Sequence, residues 1–127
     1  MRLVMCHGCW DVLHYGHLLH LLQARTFGDM LVVSVTADEF VNKGPGKPRF
    51  NVDQRMAMLR ALRMVDMVIC SDDFTPDAVI RYVRPAVYVK GKEYEGMLPE
   101  QELVESLGGE VKFIETEASH IHSREIA

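Results

Sequence analysis

Apolar positions along the chain fall into two kinds of segment that alternate. Short β-branched or apolar runs read as strands: Leu3-Val4-Met5-Cys6-His7, Met30-Leu31-Val32-Val33-Ser34-Val35, Met67-Val68-Ile69-Cys70, Ala86-Val87-Tyr88-Val89-Lys90 and, after the turn signal Gly108-Gly109, Glu110-Val111-Lys112-Phe113-Ile114. Between them, longer stretches at about 17–28, 51–64, 75–83 and 99–107 read as helices. Their starts are marked by Asn51 with Gln54 three residues on, by Thr75-Pro76 and by Pro99. In the second helix Val52, Met56, Leu59, Leu62 and Met64 put most of the apolar weight on one side and leave Arg55 to point elsewhere. Strands buried on both faces and joined by helices imply an α/β, Rossmann-like doubly wound sheet of five parallel strands with flanking helices. Such sheets bind ligands beyond the carboxyl ends of their strands, so the segments after the first, second, fourth and fifth strands matter most.

Composition narrows the partners. The 127 residues, 48% hydrophobic and 25% charged, fit one soluble domain spanning 1–127. No apolar run approaches the roughly 20 residues of a membrane span, and Met1-Arg2-Leu3-Val4 lacks the pattern of a signal peptide, so a cytoplasmic protein with no membrane partner is expected. A net charge of −4 argues against nucleic acid as a partner and requires that any anion be held by a local site. Three cysteines, Cys6, Cys9 and Cys70, do not make a disulfide framework and agree with a reducing compartment. The loop Asn42-Lys43-Gly44-Pro45-Gly46-Lys47-Pro48-Arg49 is the one obviously flexible stretch.

Two phosphate-binding patterns fail. Gly44-Pro45-Gly46-Lys47 lacks the glycine spacing and hydroxyl of a Walker loop, and three glycines do not stand between the first strand and the first helix. The dense constellation is instead Gly8-Cys9-Trp10-Asp11-Val12-Leu13-His14-Tyr15-Gly16-His17, running from the first strand into the first helix. Gly16 allows close approach to the helix N-terminus, whose free N–H groups and partial positive charge attract phosphate, and His14 and His17 can donate to the same oxygens. A single histidine there reads as a cap or a core residue; two flanking one glycine read as a site.

His14-Tyr15-Gly16-His17 is the HxGH signature, and on it the chain resembles the nucleotidylyltransferases of the cytidylyltransferase-like superfamily over nearly its whole length. The stretch Gly8 to His17 resembles the ethanolamine-phosphate and glycerol-3-phosphate cytidylyltransferases, with Trp10 where those carry Phe or Tyr. Pro48-Arg49-Phe50-Asn51-Val52-Asp53-Gln54-Arg55 and Val89-Lys90-Gly91-Lys92-Glu93-Tyr94 resemble the adenylyltransferase domain of ADP-heptose synthases. The resemblance implies that His14 and His17 stabilise the α-phosphate in the transition state, that Lys43 grips the triphosphate and that Arg55 holds phosphate from its helix. It further implies nucleotide contacts from Gly8, Cys9, Trp10, Gly16, Lys90 and Gly91, and acceptor contacts from Asp11, Tyr15 and Tyr94. The family's closing Ser/Thr-rich turn corresponds to Ile121-His122-Ser123-Arg124, where only Ser123 fits the hydroxyl pattern: either His122 and Arg124 substitute as donors or this end of the site is weakened. Arg63 and Asp66, in the family's Arg-x-Val-Asp-x-Val stretch, read as a structural ion pair.

The expected reaction is transfer of CMP from CTP to a small phosphorylated polyol, amino alcohol or sugar, with release of pyrophosphate and with Mg2+ accompanying the triphosphate. The alternative is adenylyl transfer from ATP to a sugar phosphate, and a non-catalytic nucleotide-binding module is a third reading. A zinc or redox site at Cys6-His7-Gly8-Cys9 with His120 and His122 competes weakly, because Cys6 and His7 point to opposite faces of a strand; no resident metal is expected. Family members are commonly homodimers, and a first helix rich in Leu18, Leu19, Leu21 and Leu22 leaves room for one.

Overall fold

A computed structural model describes residues 1–115. The expected strands are present as β1 (Leu3–Gly8), β2 (Met30–Thr36), β3 (Met67–Ser71), β4 (Val87–Gly91) and β5 (Glu110–Ile114). The helices are α1 (Tyr15–Arg25), α2 (Val52–Arg60), α3 (Asp77–Val83) and α4 (Gln101–Ser106), with single 3₁₀ turns at Asp38–Phe40 and Lys92–Tyr94. Asn51 and Gln54 form the reciprocal capping box that starts α2. This helix ends four residues before its expected limit because the N–H groups of Ala61 and Leu62 turn back to carbonyls three residues earlier. Leu62 and Met64 still pack on the core, from a turn rather than a helix.

All strand pairings are parallel and the order is β3-β2-β1-β4-β5. The chain therefore begins in the middle of the sheet, fills one side, then crosses back to fill the other. Two apolar layers result. On one face Val4 and Cys6, Leu31, Val33 and Val35, and Val87 and Val89 pack against Leu21 and Ala24 of α1 and Leu59 of α2. On the other, Met5 and Tyr88 pack against Val79 and Ile80 of α3 and Val104 of α4. Strand alternation explains the division, since successive side chains leave the sheet on opposite faces. Register places His7 opposite Ser34 at the carboxyl end of the sheet. Strand order reverses between β1 and β4, and the crevice at such a switch point is where open α/β sheets hold ligands. Among the described residues no helix is long and apolar enough to cross a membrane.

Candidate active site

The HxGH segment is a helix cap written in histidine. His14 is the N-cap of α1; its Nδ1 accepts the Gly16 N–H at 3.0 Å, while the N–H of His14 donates to Nδ1 of His17 at 3.3 Å. The three-residue spacing is thus fixed by helix geometry, in the manner of a Ser-x-x-Glu capping box. It stacks the two imidazoles with centroids 3.9 Å apart and planes 24° apart. Because each Nδ1 accepts a backbone N–H, the neutral ring of His17 carries its proton on Nε2.

Trp10 sets the chain leaving β1. Its backbone has φ of 55°, in the left-handed region that bulky side chains avoid. The conformation is held by burial of the indole and by its Nε1–H, which donates to the Ser34 carbonyl at 3.0 Å. Gly8 leaves the space in which that ring lies. One residue on, the Asp11 carboxylate accepts the N–H groups of Arg49 and Phe50 at 2.8 and 3.0 Å and so fastens the loop after β2 to the loop after β1. Partial desolvation works the other way, yet these two amides hold the Asp11 carboxyl below its usual range.

These elements surround a cleft of about 730 Å³ at the carboxyl ends of β1 and β4. Of the residues expected in the site, Gly8, Cys9, Trp10, Asp11, His17, Lys43, Lys90, Gly91 and Tyr94 line it. His14 is not among the lining residues but stacks directly on His17, which is. Gly16 is buried in the first turn of α1. Tyr15 begins that helix with its side chain outside the cleft and largely exposed, so the structure does not place it against an acceptor there. His122, Ser123 and Arg124 lie outside the described residues.

Arg55 departs most from expectation. It is not on the polar side of α2 but buried, 1% exposed, and it is absent from the cleft lining. Its Nη1 donates to the carbonyls of Cys9 at 2.8 Å and Thr36 at 2.7 Å, its Nε to that of Phe50 at 2.9 Å, and its Nη2 pairs with Asp38 at 2.7 Å. The carbonyls at the ends of β1 and β2 need donors, and the guanidinium supplies them. Asp66 is likewise tied elsewhere: it accepts the Leu31 N–H at 2.8 Å and pairs with Arg25 at 3.2 Å, in place of the expected Arg63.

His20 and Glu93, which the sequence did not single out as site residues, also line the cleft, together with His7, read there only as a zinc or redox candidate, and Lys47 of the loop after β2. His7 Nδ1 meets Ser34 Oγ at 2.7 Å. Lys90 is mostly buried; its Nζ donates to the His7 carbonyl at 3.1 Å and lies 4.7 Å from the centre of the Tyr94 ring. Burial depresses the Lys90 ammonium, although buried Glu100, which accepts the Tyr88 hydroxyl at 2.6 Å, acts in the opposite direction. Burial first, and neighbouring positive charge second, push His7, His17 and His20 down to about 4, so all three are neutral near pH 7. Cys6 is sealed in the core with its thiol pushed up to about 12 by burial, on the sheet face opposite the His7 side chain; among the described residues no three metal-ligating groups come together.

The chain matches the cytidylyltransferase-like family over residues 5–125. It is 42% identical over 116 residues to the bifunctional protein HldE of Pseudomonas syringae pv. syringae, covering 89% of this chain and 24% of that protein. It is also 42% identical over 117 residues to HldE of Alcanivorax borkumensis, covering 90% and 25%. The chain thus spans about a quarter of the length of these curated relatives. Among solved structures, the lipopolysaccharide core biosynthesis protein of Thermoplasma volcanium superposes with a TM-score of 0.72 at 32% identity, covering 89% of this chain and 93% of that one. With the histidine cap, the cleft at the switch point and this likeness over its length, the chain belongs to the cytidylyltransferase-like family of nucleotidyltransferases.

Proposed function

We propose that the chain transfers the AMP moiety of ATP to a sugar phosphate and releases pyrophosphate. The choice of ATP over the expected CTP rests on the resemblance of residues 48–55 and 89–94 to the adenylyltransferase domain of ADP-heptose synthases, together with the 42% identity to the bifunctional protein HldE. The segment Val89-Lys90-Gly91-Lys92-Glu93-Tyr94, on which the sequence resembles those enzymes, supplies Lys90, Gly91, Glu93 and Tyr94 to the cleft wall and so supports the same reading.

An acceptor phosphate oxygen attacks the α-phosphorus in line, a P–O bond forms, and the bond to the pyrophosphate oxygen breaks with the electron pair leaving on pyrophosphate. The acceptor is already ionised near neutral pH, so no general base is required, and the Asp11 carboxylate is engaged by the Arg49 and Phe50 N–H groups. What the reaction asks for is positioning and hydrogen-bond donors around phosphorus. The neutral His17 ring offers Nε2–H, and His14, stacked on it, lies close enough to serve a second oxygen of the same phosphate. Lys43 and Lys47 come from the loop beyond β2, and Lys90 from β4, on the other side of β1. Positive charge therefore stands at both ends of an in-line displacement. Magnesium enters as part of the triphosphate substrate, since that ion keeps substrate phosphates and waters as ligands and the described residues offer no cage for it. Arg55 acts from beneath, by fixing the loops that follow β1 and β2.

Pyrophosphate release measured with MgATP or MgCTP, against a panel of sugar, polyol and amino-alcohol phosphates, tests the reading. Turnover with ATP and a sugar phosphate is expected. Turnover confined to CTP with a polyol or amino-alcohol phosphate returns the assignment to cytidylyl transfer, and nucleotide binding without turnover on any acceptor removes the catalytic reading.

A further inference from the structure

A second histidine of α1 lines the cleft one turn beyond His17. Residues three apart share a helix face, so His20 follows His17 along the cleft wall, about 4.5 Å further down the helix axis. It differs from the other two imidazoles of the cleft. One nitrogen of His7 meets Ser34 Oγ and one of His17 accepts the N–H of His14, whereas His20 makes no hydrogen bond from either nitrogen among the described residues. Its neighbours are the Trp10 ring, tilted with centroids 6.5 Å apart, and the charges of Lys90 and Glu93. Its ring nitrogens are not among the buried polar atoms without partners; they open onto a polar cleft and meet no protein group there, which leaves both for a ligand.

Topology says which ligand. His20, His7, Lys90 and Glu93 gather at the β1/β4 crevice, where strand order reverses, while Asp11, Lys43 and Lys47 stand on the β2 side. The crevice at the switch point is the nucleotide position of open α/β sheets. We infer that His20 contacts the nucleoside triphosphate and is a further binding residue of this site, so that the nucleotide is held by three histidines of one helix segment rather than by the HxGH pair alone. A neutral imidazole donates from one nitrogen and accepts at the other, which suits the mixed donor and acceptor edges of a nucleotide, with the Lys90 ammonium beside it for phosphate charge. The inference rests on the nucleotidyl-transfer reading above.

The test is calorimetric titration of MgATP and MgCTP into the wild-type chain and into His20→Phe and His20→Asn. Phenylalanine keeps the ring against Trp10 and removes both nitrogens; asparagine restores one donor and one acceptor. Loss of one net hydrogen bond predicts affinity about five- to tenfold weaker in His20→Phe for the nucleotide that the wild type binds, partial recovery in His20→Asn, and unchanged KM for the acceptor. A second readout is the ring ¹⁵N resonance of His20, which shifts on adding nucleotide if the contact is made and stays in place if the ring is only packing. Nucleotide affinity within twofold of wild type in both variants, or a loss confined to the acceptor, overturns the inference while leaving the function intact. A wild-type chain that binds neither nucleotide overturns both.

Discussion

At the scale of single residues, the site depends on groups whose charge and tautomer the fold sets before any ligand arrives. His17 is held neutral by burial, and its Nδ1 is occupied by a backbone N–H, so one nitrogen remains to donate. A donor that matters most when charge spreads over the oxygens of the transferred group contributes to the transition state more than to the ground state. His17→Ala is therefore expected to lower kcat by about 10²-fold or more while the Kd for nucleotide, read by titration, changes by only a few-fold. Equal losses in both quantities would mark His17 as a binding residue alone. Trp10 belongs at this scale too: its left-handed backbone persists because the indole is clamped between Gly8 and the Ser34 carbonyl, and the clamp aims Asp11 at the loop that carries Lys43 and Lys47.

Between elements, Arg55 is the main tie. It stands on α2 yet serves the last carbonyls of β1 and β2 and the Asp38 carboxylate, so three chain segments converge on one planar group. Removing the side chain leaves buried carbonyls without donors. Arg55→Ala is expected to cost about 2–4 kcal/mol, read as a lower midpoint in urea unfolding. Lysine, with one compact ammonium, cannot reach acceptors spread over that fork, and Arg55→Lys is expected to recover only part of the loss. A variant as stable as wild type would return Arg55 to the phosphate-binding role that the family resemblance implies. The same reasoning explains why helix periodicity misplaced it: the pattern separates apolar from polar side chains, and a guanidinium buried by three carbonyls and a carboxylate counts as polar whichever way it points.

For the whole molecule, the cleft sets a pH dependence. His7, His17 and His20 titrate at about 4 in the fold against an ordinary value of 6.5. Between those values the unfolded chain binds more protons than the folded one, so stability rises with pH through that window and is complete above it. The expected outcome is a melting temperature that is level from pH 8 to 7 and falls as pH drops from about 6.5 towards 4, before carboxylates such as Asp11 begin to protonate. His20→Phe, with one fewer buried imidazole, is expected to show a shallower fall. A melting temperature that is level down to pH 5 would mean that the histidines are more open to water than their burial implies.

Features that depend on neighbours a few residues apart are legible in the order of the residues. The spacing of apolar runs shows five strands and four helices in order, the unbroken hydrophobic strands dictate a parallel sheet covered on both faces, and His14 with His17 stands out as two histidines flanking a glycine, although the cap they form does not. Which distant groups meet depends on how the strands are ordered in space. His7 and Lys90 are 83 residues apart and touch because β4 crosses back to lie beside β1. Asp66 reaches Arg25 rather than nearby Arg63 for the same reason: strand order places its partner. Periodicity carries local information about which face is buried, whereas the contents of a cleft at a switch point are set by crossovers that no local pattern encodes.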